Sequence, residues 1–342
     1  MKVSYQSYDL KFRHPFTISR GTKTHQPTLI VKLEHLGLVG YGEAPAISYY
    51  HIPVEKMIED LEQKRILVEK FAFTEPERYW HYLHHLFPQN SFLVCALDIA
   101  GWDLYGKMKE RPLKELWTTN EPRSPICDYT IGIDTVEKMV EKMQEKPWPI
   151  YKIKLGTDRD IEIMQALRKH TDSIIRIDAN AAWNAEEALE KINAFKDLNV
   201  EFIEQPLAKA DWDGMKWLFE RSPLPLIADE ACVAESDVEK CHHHFHGINI
   251  KLTKCSGITP ALRMIQRARE LNMSVMIGSM NESSVGSAAI AHLMHLADYI
   301  DADGPLLLQE DVAKGLVYHS DGTIDTSSQP GLGIHFTDLF QK

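Results

Sequence analysis

The sequence predicts an α/β protein: an N-terminal α+β capping domain followed by a (β/α)7–8 barrel of the TIM type, with a C-terminal tail returning to the cap. Three observations predict it. From Tyr151 to Asp303, short apolar runs recur, most ending in a charged residue: YKIKLG, IIRIDAN, EFIEQP, LIADE, INIKL, VMIGSM and YIDADG. Their marker residues Lys154, Asp178, Glu204, Asp229, Lys251, Ser279 and Asp301 follow one another at 24, 26, 25, 22, 28 and 22 residues. A strand, a helix and two short loops take about that length. Ahead of this region the order differs, with strands first and helices after, as in a separate α+β unit.

Taken in order, KVSYQSYDLKF, TLIVKLEH and LVGYGEA alternate like an antiparallel meander. HPFTISRGTKTHQP, polar and carrying Gly21, is expected as a loop. AISYYHIP is a second loop, rich in aromatics. Three helical patterns follow, and the last, NSFLVCALDIAGWDLYGKMK, has small residues Ala96, Ala100 and Gly101 for close packing. TTNEPRSP has no apolar period and marks the boundary. This gives a cap over residues 1–122, a barrel over 123–310 and a tail over 311–342. ICDYTIG opens the barrel. The helices between the later strands are mostly amphipathic, with one apolar stripe for the sheet. The tail holds short strands, GLVYHS and DGTI.

Composition narrows the function. At 342 residues the chain suits about two domains. A net charge of −11 argues against nucleic acid and anionic membranes as partners. No apolar run approaches the roughly 18 residues of a membrane span, and the N-terminus lacks the apolar region of a signal peptide. Five cysteines without a CxxC pair suit reduced thiols in a cytoplasm.

In a barrel of this kind the carboxyl ends of all strands face one pocket. Asp178, Glu204 and Asp229 end consecutive strands there. Three converging carboxylates repel one another unless a cation sits among them, and all-oxygen ligation suits Mg²⁺. Each Asp alone could be a helix N-cap; three in succession, flanked by lysines, favour the metal. Lys152 and Lys154 are two apart on a strand and share a face. Near a metal and each other, their pKa can fall toward the range of a base. Lys251 ends the sixth strand, across the mouth from the second. The competing role for these lysines is salt-bridging to the carboxylates. Lys254 is expected in a loop. The run CHHHFH sits at a helix end and is expected at the surface.

The array KIK, DAN, EQP, ADE and NIKL, with GYGEAP and GSMNES, resembles the muconate-lactonizing subgroup of the enolase superfamily over nearly the whole chain. Where relatives often have KxGG, this chain has KCSG. The resemblance implies one Mg²⁺ per subunit on Asp178, Glu204 and Asp229, Lys154 and Lys251 as acid/base pair, and Lys152 neutralising an enolate. Within the subgroup, YIDADG looks like a dipeptide epimerase, whose Asp301 and Asp303, on one face of the last strand, would hold the dipeptide's α-ammonium. No cation of the sequence is expected to pair with them. Ser279 and Glu282 would shape the site, Thr130 would touch substrate, and Tyr49, Tyr50 and His51 could form a lid. Arg20 and Lys23 stand where relatives specific for a C-terminal Glu put a cation. The activity implied is Mg²⁺-dependent epimerisation at the α-carbon of a dipeptide's C-terminal residue through an ene-diolate. L-Ala-D/L-Glu is the foremost substrate, within cell-wall peptide recycling. A homo-oligomer is compatible with the resemblance. An o-succinylbenzoate synthase, an N-acyl amino acid racemase, another dipeptide specificity and a non-catalytic peptide-binding barrel stay open.

Overall fold

The computed structural model describes residues 1–117 and 119–337. It begins with a three-stranded antiparallel sheet, β1 (Lys2–Ile18), β2 (Gly21–His35) and β3 (Leu38–Pro45). Helices α1 (Val54–Lys70), α2 (Pro76–Leu86) and α3 (Ser91–Met108) follow. The GYGEA motif is explained by α3. A Cβ on Gly40 would stand 2.1 Å from the Ala100 carbonyl oxygen, and one on Gly42 would stand 2.0 Å from that of Ala96. The two glycines let the helix backbone lie directly on β3.

The polar stretch expected as a loop is instead the far end of the β1–β2 hairpin. Pairing runs to Ile18 opposite Gly21, with a register shift between Lys11 and Phe16. Phe16, Thr17, Ile18 and Thr22 favour strands, and Gly21, at φ +138°, allows the tight tip. The composition is polar because this end leaves the cap's core and reaches the barrel. The Thr17 carbonyl accepts a hydrogen bond from the Ile133 amide at 2.9 Å.

Eight parallel strands then follow in chain order: β4 (Tyr129–Ile131), β5 (Ile150–Lys154), β6 (Ile174–Asp178), β7 (Val200–Glu204), β8 (Leu226–Ala228), β9 (Gly247–Lys251), β10 (Ser274–Gly278) and β11 (Tyr299–Asp301). A bridge between Cys127 and Ile300 brings the two edges together, so the barrel is nearly closed. Between the strands lie α4 (Val136–Glu145), α5 (Asp160–Arg168), α6 (Ala185–Phe195), α7 (Trp212–Phe219), α8 (Glu235–Cys241), the short α9 (Leu252–Cys255), α10 (Ile258–Glu270) and α11 (Ser284–Leu293). Outward residues such as Ile153, Ile177, Ile203 and Ile250 pack in the main apolar core. The barrel's floor is filled by Phe202, Ile227, Met276 and Tyr299. Among the described residues no helix is long and apolar enough to cross a membrane.

Two buried cap carboxylates dock the domains by capping barrel helices. Glu43 accepts from the Ser283 amide at 3.1 Å, the Ser283 hydroxyl at 2.6 Å and the Gly286 amide at 2.9 Å, at the start of α11. Asp98, on α3, accepts from the Thr259 amide at 3.0 Å and hydroxyl at 2.7 Å, at the start of α10. Both helices follow strands that end at the site, so the cap's position is tied to it. A third cap carboxylate, Asp103, accepts from the Leu332 amide at 2.7 Å and holds the C-terminal segment against α3.

Candidate active site

Strand register sets the level of the charged side chains. Lys154 lies opposite Asp178 and Asp178 opposite Glu204. On the far side Gly278 lies opposite both Lys251 and Asp301. Asp229 follows β8 directly. These residues meet at one end of the barrel because their backbones are paired there. Asp178, Glu204 and Asp229 are buried, with ligand oxygens within 4.8 Å of one another. Lys154 and Lys251 reach them from β5 and β9, four strands apart in the eight-stranded sheet.

The lysines are ion-paired. Lys154 donates to Asp178 Oδ2 at 2.6 Å and Lys251 to Asp229 Oδ2 at 2.8 Å. Lys152 lies 2.8 Å from both Glu204 Oε2 and Asp301 Oδ2. Burial opposes the charge on Lys152 and Lys251, but the carboxylates outweigh it and hold both pKa values above the ordinary lysine value. The fall toward a base's range expected from the sequence is therefore not seen at these two residues, because each has an anion in contact. Asp178 is held down at about 2: burial raises it, and Lys154 and Lys152 more than offset that. Asp229 is held well below its usual value by Lys251 and Lys254 against the same burial. Glu204 is pushed up to about 7 by burial and then by Asp178.

Lys254, expected in a loop, is on α9 and buried. Its ammonium donates to Asp229 Oδ1 at 2.7 Å and to the Asn249 carbonyl at 3.1 Å. It faces inward because the chain turns into a helix straight after β9. Three further residues escaped the sequence analysis. Asn249 donates to Glu204 Oε1 at 2.7 Å; its place two residues before Lys251 on one strand was the available signal. Gln205 of EQP accepts from the amides of Asp229 and Ala231 at 3.0 Å each, which fixes the Asp229 loop. Glu230 adjoins Asp229 and pairs with Arg20.

A cavity of about 350 Å³ opens above this layer. Thr130, Lys154, Asp229, Lys251, Ser279 and Asp301 line it from the barrel, and Arg20, Lys23, Tyr49 and Tyr50 line it from the cap. His51 is exposed and absent from the lining, so the lid is made of the two tyrosines alone. Glu282 is also absent from the lining: it is buried behind the Met280–Asn281 turn, where its Oε2 accepts from the Met280 amide at 2.6 Å. Burial, with Glu43 nearby, pushes its pKa up to about 8.

Asp301 and Asp303 differ from the expected pair. The strand ends at Asp301, and Asp303 lies in the turn beyond it. Asp301 has a protein cation after all, since Lys152 donates to its Oδ2. Asp303 Oδ2 accepts from the Thr130 amide at 2.6 Å. Each carboxylate keeps a buried oxygen, Asp301 Oδ1 and Asp303 Oδ1, with no hydrogen-bond partner. Burial, Asp301 and Asp128 hold Asp303 well above the usual carboxylate range.

The family model described as Enolase C-terminal domain-like matches residues 134–339, and that of the Mandelate racemase / muconate lactonizing enzyme N-terminal domain matches 2–117. The chain belongs to this family. It is 49% identical over 334 residues to the L-Ala-D/L-amino acid epimerase of Flavobacterium johnsoniae, covering 98% of this chain and 99% of that protein. Its fold is similar to the substrate-liganded L-Ala-D/L-Glu epimerase from Bacillus subtilis, with TM-score 0.91 and 28% identity over 98% of this chain and 99% of that one. It is equally close to the dipeptide epimerase from Cytophaga hutchinsonii complexed with Mg and D-Ala-L-Val, with TM-score 0.91 and 26% identity over 99% and 97%. The donor set suits such an ion. Three buried carboxylates converge with oxygen ligands only, and burial and Asp178 leave Glu204 short of positive charge.

Proposed function

We propose that this protein is a dipeptide epimerase that inverts the α-carbon of the C-terminal residue of L-Ala-D/L-Xaa substrates, L-Ala-D/L-Glu among them. The observation that carries this is the opposition of Lys154 and Lys251 across one cavity, with the acidic triad between them. A carbon held there has an amine on each face. One lysine removes the α-proton and the other returns a proton to the opposite face. Mg²⁺ held by Asp178, Glu204 and Asp229 supplies Lewis-acid stabilisation of the charge that develops on the substrate's α-carboxylate. Lys152, fixed by Glu204 and Asp301, adds a positive charge beside it.

In the substrate-free protein both bases are protonated and paired. Lys154 must give up Asp178, and Lys251 must give up Asp229, before either is free to accept a proton. Lys254 keeps one oxygen of Asp229 in place while Lys251 moves. Asp301 Oδ1 and Asp303 Oδ1 are acceptors without donors, and we assign them to the substrate's α-ammonium. A role in recycling murein peptides follows from such a substrate. The five buried, unpaired cysteines suit a reducing cytoplasm.

The test is a dipeptide library incubated with the protein and Mg²⁺ in D₂O and read by mass spectrometry. Deuterium should enter the α-position of the C-terminal residue of L-Ala dipeptides and nowhere else. Absence of α-deuterium from every dipeptide would overturn the proposal.

A further inference from the structure

Four cations line the cavity: Lys154 and Lys251 from strand ends, Arg20 and Lys23 from the hairpin. Three of them have an anion in contact. Lys154 has Asp178, Lys251 has Asp229, and the Arg20 guanidinium donates to Glu230. Arg20 is held from a second side, with its guanidinium carbon 4.3 Å from the centre of the Tyr49 ring. Lys23 is different. Its ammonium donates to Gln26 Oε1 at 2.7 Å, a neutral acceptor, and among the described residues no carboxylate pairs with it. Burial, with Lys154 and Lys251 nearby, lowers its pKa to about 8.

The two hairpin cations therefore differ in what they can offer a substrate. For Arg20 to bind a carboxylate it would have to leave Glu230, which is 3% exposed. An unpaired charge left behind in a buried position is strongly destabilising. Lys23 can bind an anion without stranding one. Resting on the dipeptide reading above, we propose that Arg20 is a positioning residue, latched through Glu230 to hold the hairpin over the barrel mouth, and that Lys23 is the residue that distinguishes acidic from neutral side chains on the substrate's C-terminal residue.

The experiment compares kcat/KM for L-Ala-L-Glu and L-Ala-L-Gln, which differ in charge and little in shape. Lys23→Met should lower the Glu-to-Gln ratio about tenfold or more, the size of a lost charge-assisted hydrogen bond. Amide exchange of residues 18–23 should stay as in the wild type. Arg20→Gln should lower kcat/KM for both dipeptides together, keep their ratio within about twofold, and speed exchange of residues 18–23. Arg20→Lys should restore part of the loss. Glu230→Gln should reproduce the Arg20→Gln exchange pattern, and it serves as the second variant if Arg20→Gln folds poorly. A ratio that collapses in Arg20→Gln, or survives in Lys23→Met, overturns the assignment. If the wild type turns over neither dipeptide, the functional proposal and the Lys23 assignment fall together. Hairpin exchange in Arg20→Gln then still decides the latch.

Discussion

At the barrel mouth, Lys154, Asp178, Glu204 and Lys251 end strands that are paired on both sides, so their level is set by the sheet's register. Across the cavity, Arg20 and Lys23 ride on the tip of a two-strand hairpin, held by Glu230 and by one amide of the β4 loop. The first region fixes atoms that must meet a reacting carbon. The second fixes a wall. The difference teaches where errors are tolerated: displacing a strand-end group should abolish the chemistry, whereas displacing the hairpin should change which substrates are favoured.

The largest effects should therefore come from the mouth. Lys154→Ala and Lys251→Ala should each lower epimerisation by about 10²–10⁴-fold. The loss should be one-sided. Each variant is expected to keep slow α-H/D exchange of the isomer whose proton faces the remaining lysine, measurable by NMR in D₂O. Wild-type epimerisation in either variant would break the two-base arrangement and with it the contrast drawn here. Chelation should likewise remove turnover, and Mg²⁺ should restore it.

Next come the groups that hold the ligands. Lys254→Met leaves Asp229 Oδ1 without its donor. Mg²⁺ affinity, measured by calorimetry, should fall about 10–100-fold, as it does when a metal ligand loses its hydrogen-bond partner. Glu204→Gln removes a ligand and should lose at least that much, with the circular dichroism spectrum unchanged. Unaltered Mg²⁺ affinity in both variants would show that the ion binds elsewhere.

A smaller effect is expected at the far end of the cavity. N-acetylation of L-Ala-L-Glu removes the charge that Asp301 and Asp303 would meet, and kcat/KM should fall about ten- to a hundredfold. Asp303→Asn should narrow that gap. Equal rates for the free and acetylated dipeptides would favour an N-acyl substrate over a dipeptide.

The same contrast decides how much was legible in the sequence. The acidic triad and the strand-end lysines could be found because a parallel barrel repeats, and a charge at each apolar run's end is visible without knowing the packing. Lys254 could not be placed: whether the chain bends into a helix after Lys251 depends on contacts with α3 and α10, which no local pattern encodes. Asp301 was expected to wait for a substrate, because its pairing with Lys152 joins strands far apart in sequence. The hairpin was taken for a loop because its polar residues were weighed above its β-branched ones. Which of Arg20 and Lys23 is free depends on Glu230, 210 residues from Arg20.

The smallest predicted effect is a pH dependence confined to the hairpin. Lys23 faces Lys154 and Lys251, which lower its pKa, and Glu282, which raises it; with burial the result is about 8. A lysine binds an anion only when protonated. The advantage of L-Ala-L-Glu over L-Ala-L-Gln should then be full below about pH 8 and decline above it. Taking the ratio cancels the titration of both catalytic lysines and of the substrate's α-ammonium, which the two dipeptides share. Because kcat/KM reports the free enzyme, its ratio should turn near 8. The ratio of kcat values should turn at higher pH, since a bound carboxylate favours the charged ammonium. In Lys23→Met the ratio should be flat with pH. A ratio that is flat in the wild type from pH 7 to 9.5 would return the discrimination to Arg20, whose guanidinium stays charged throughout that range.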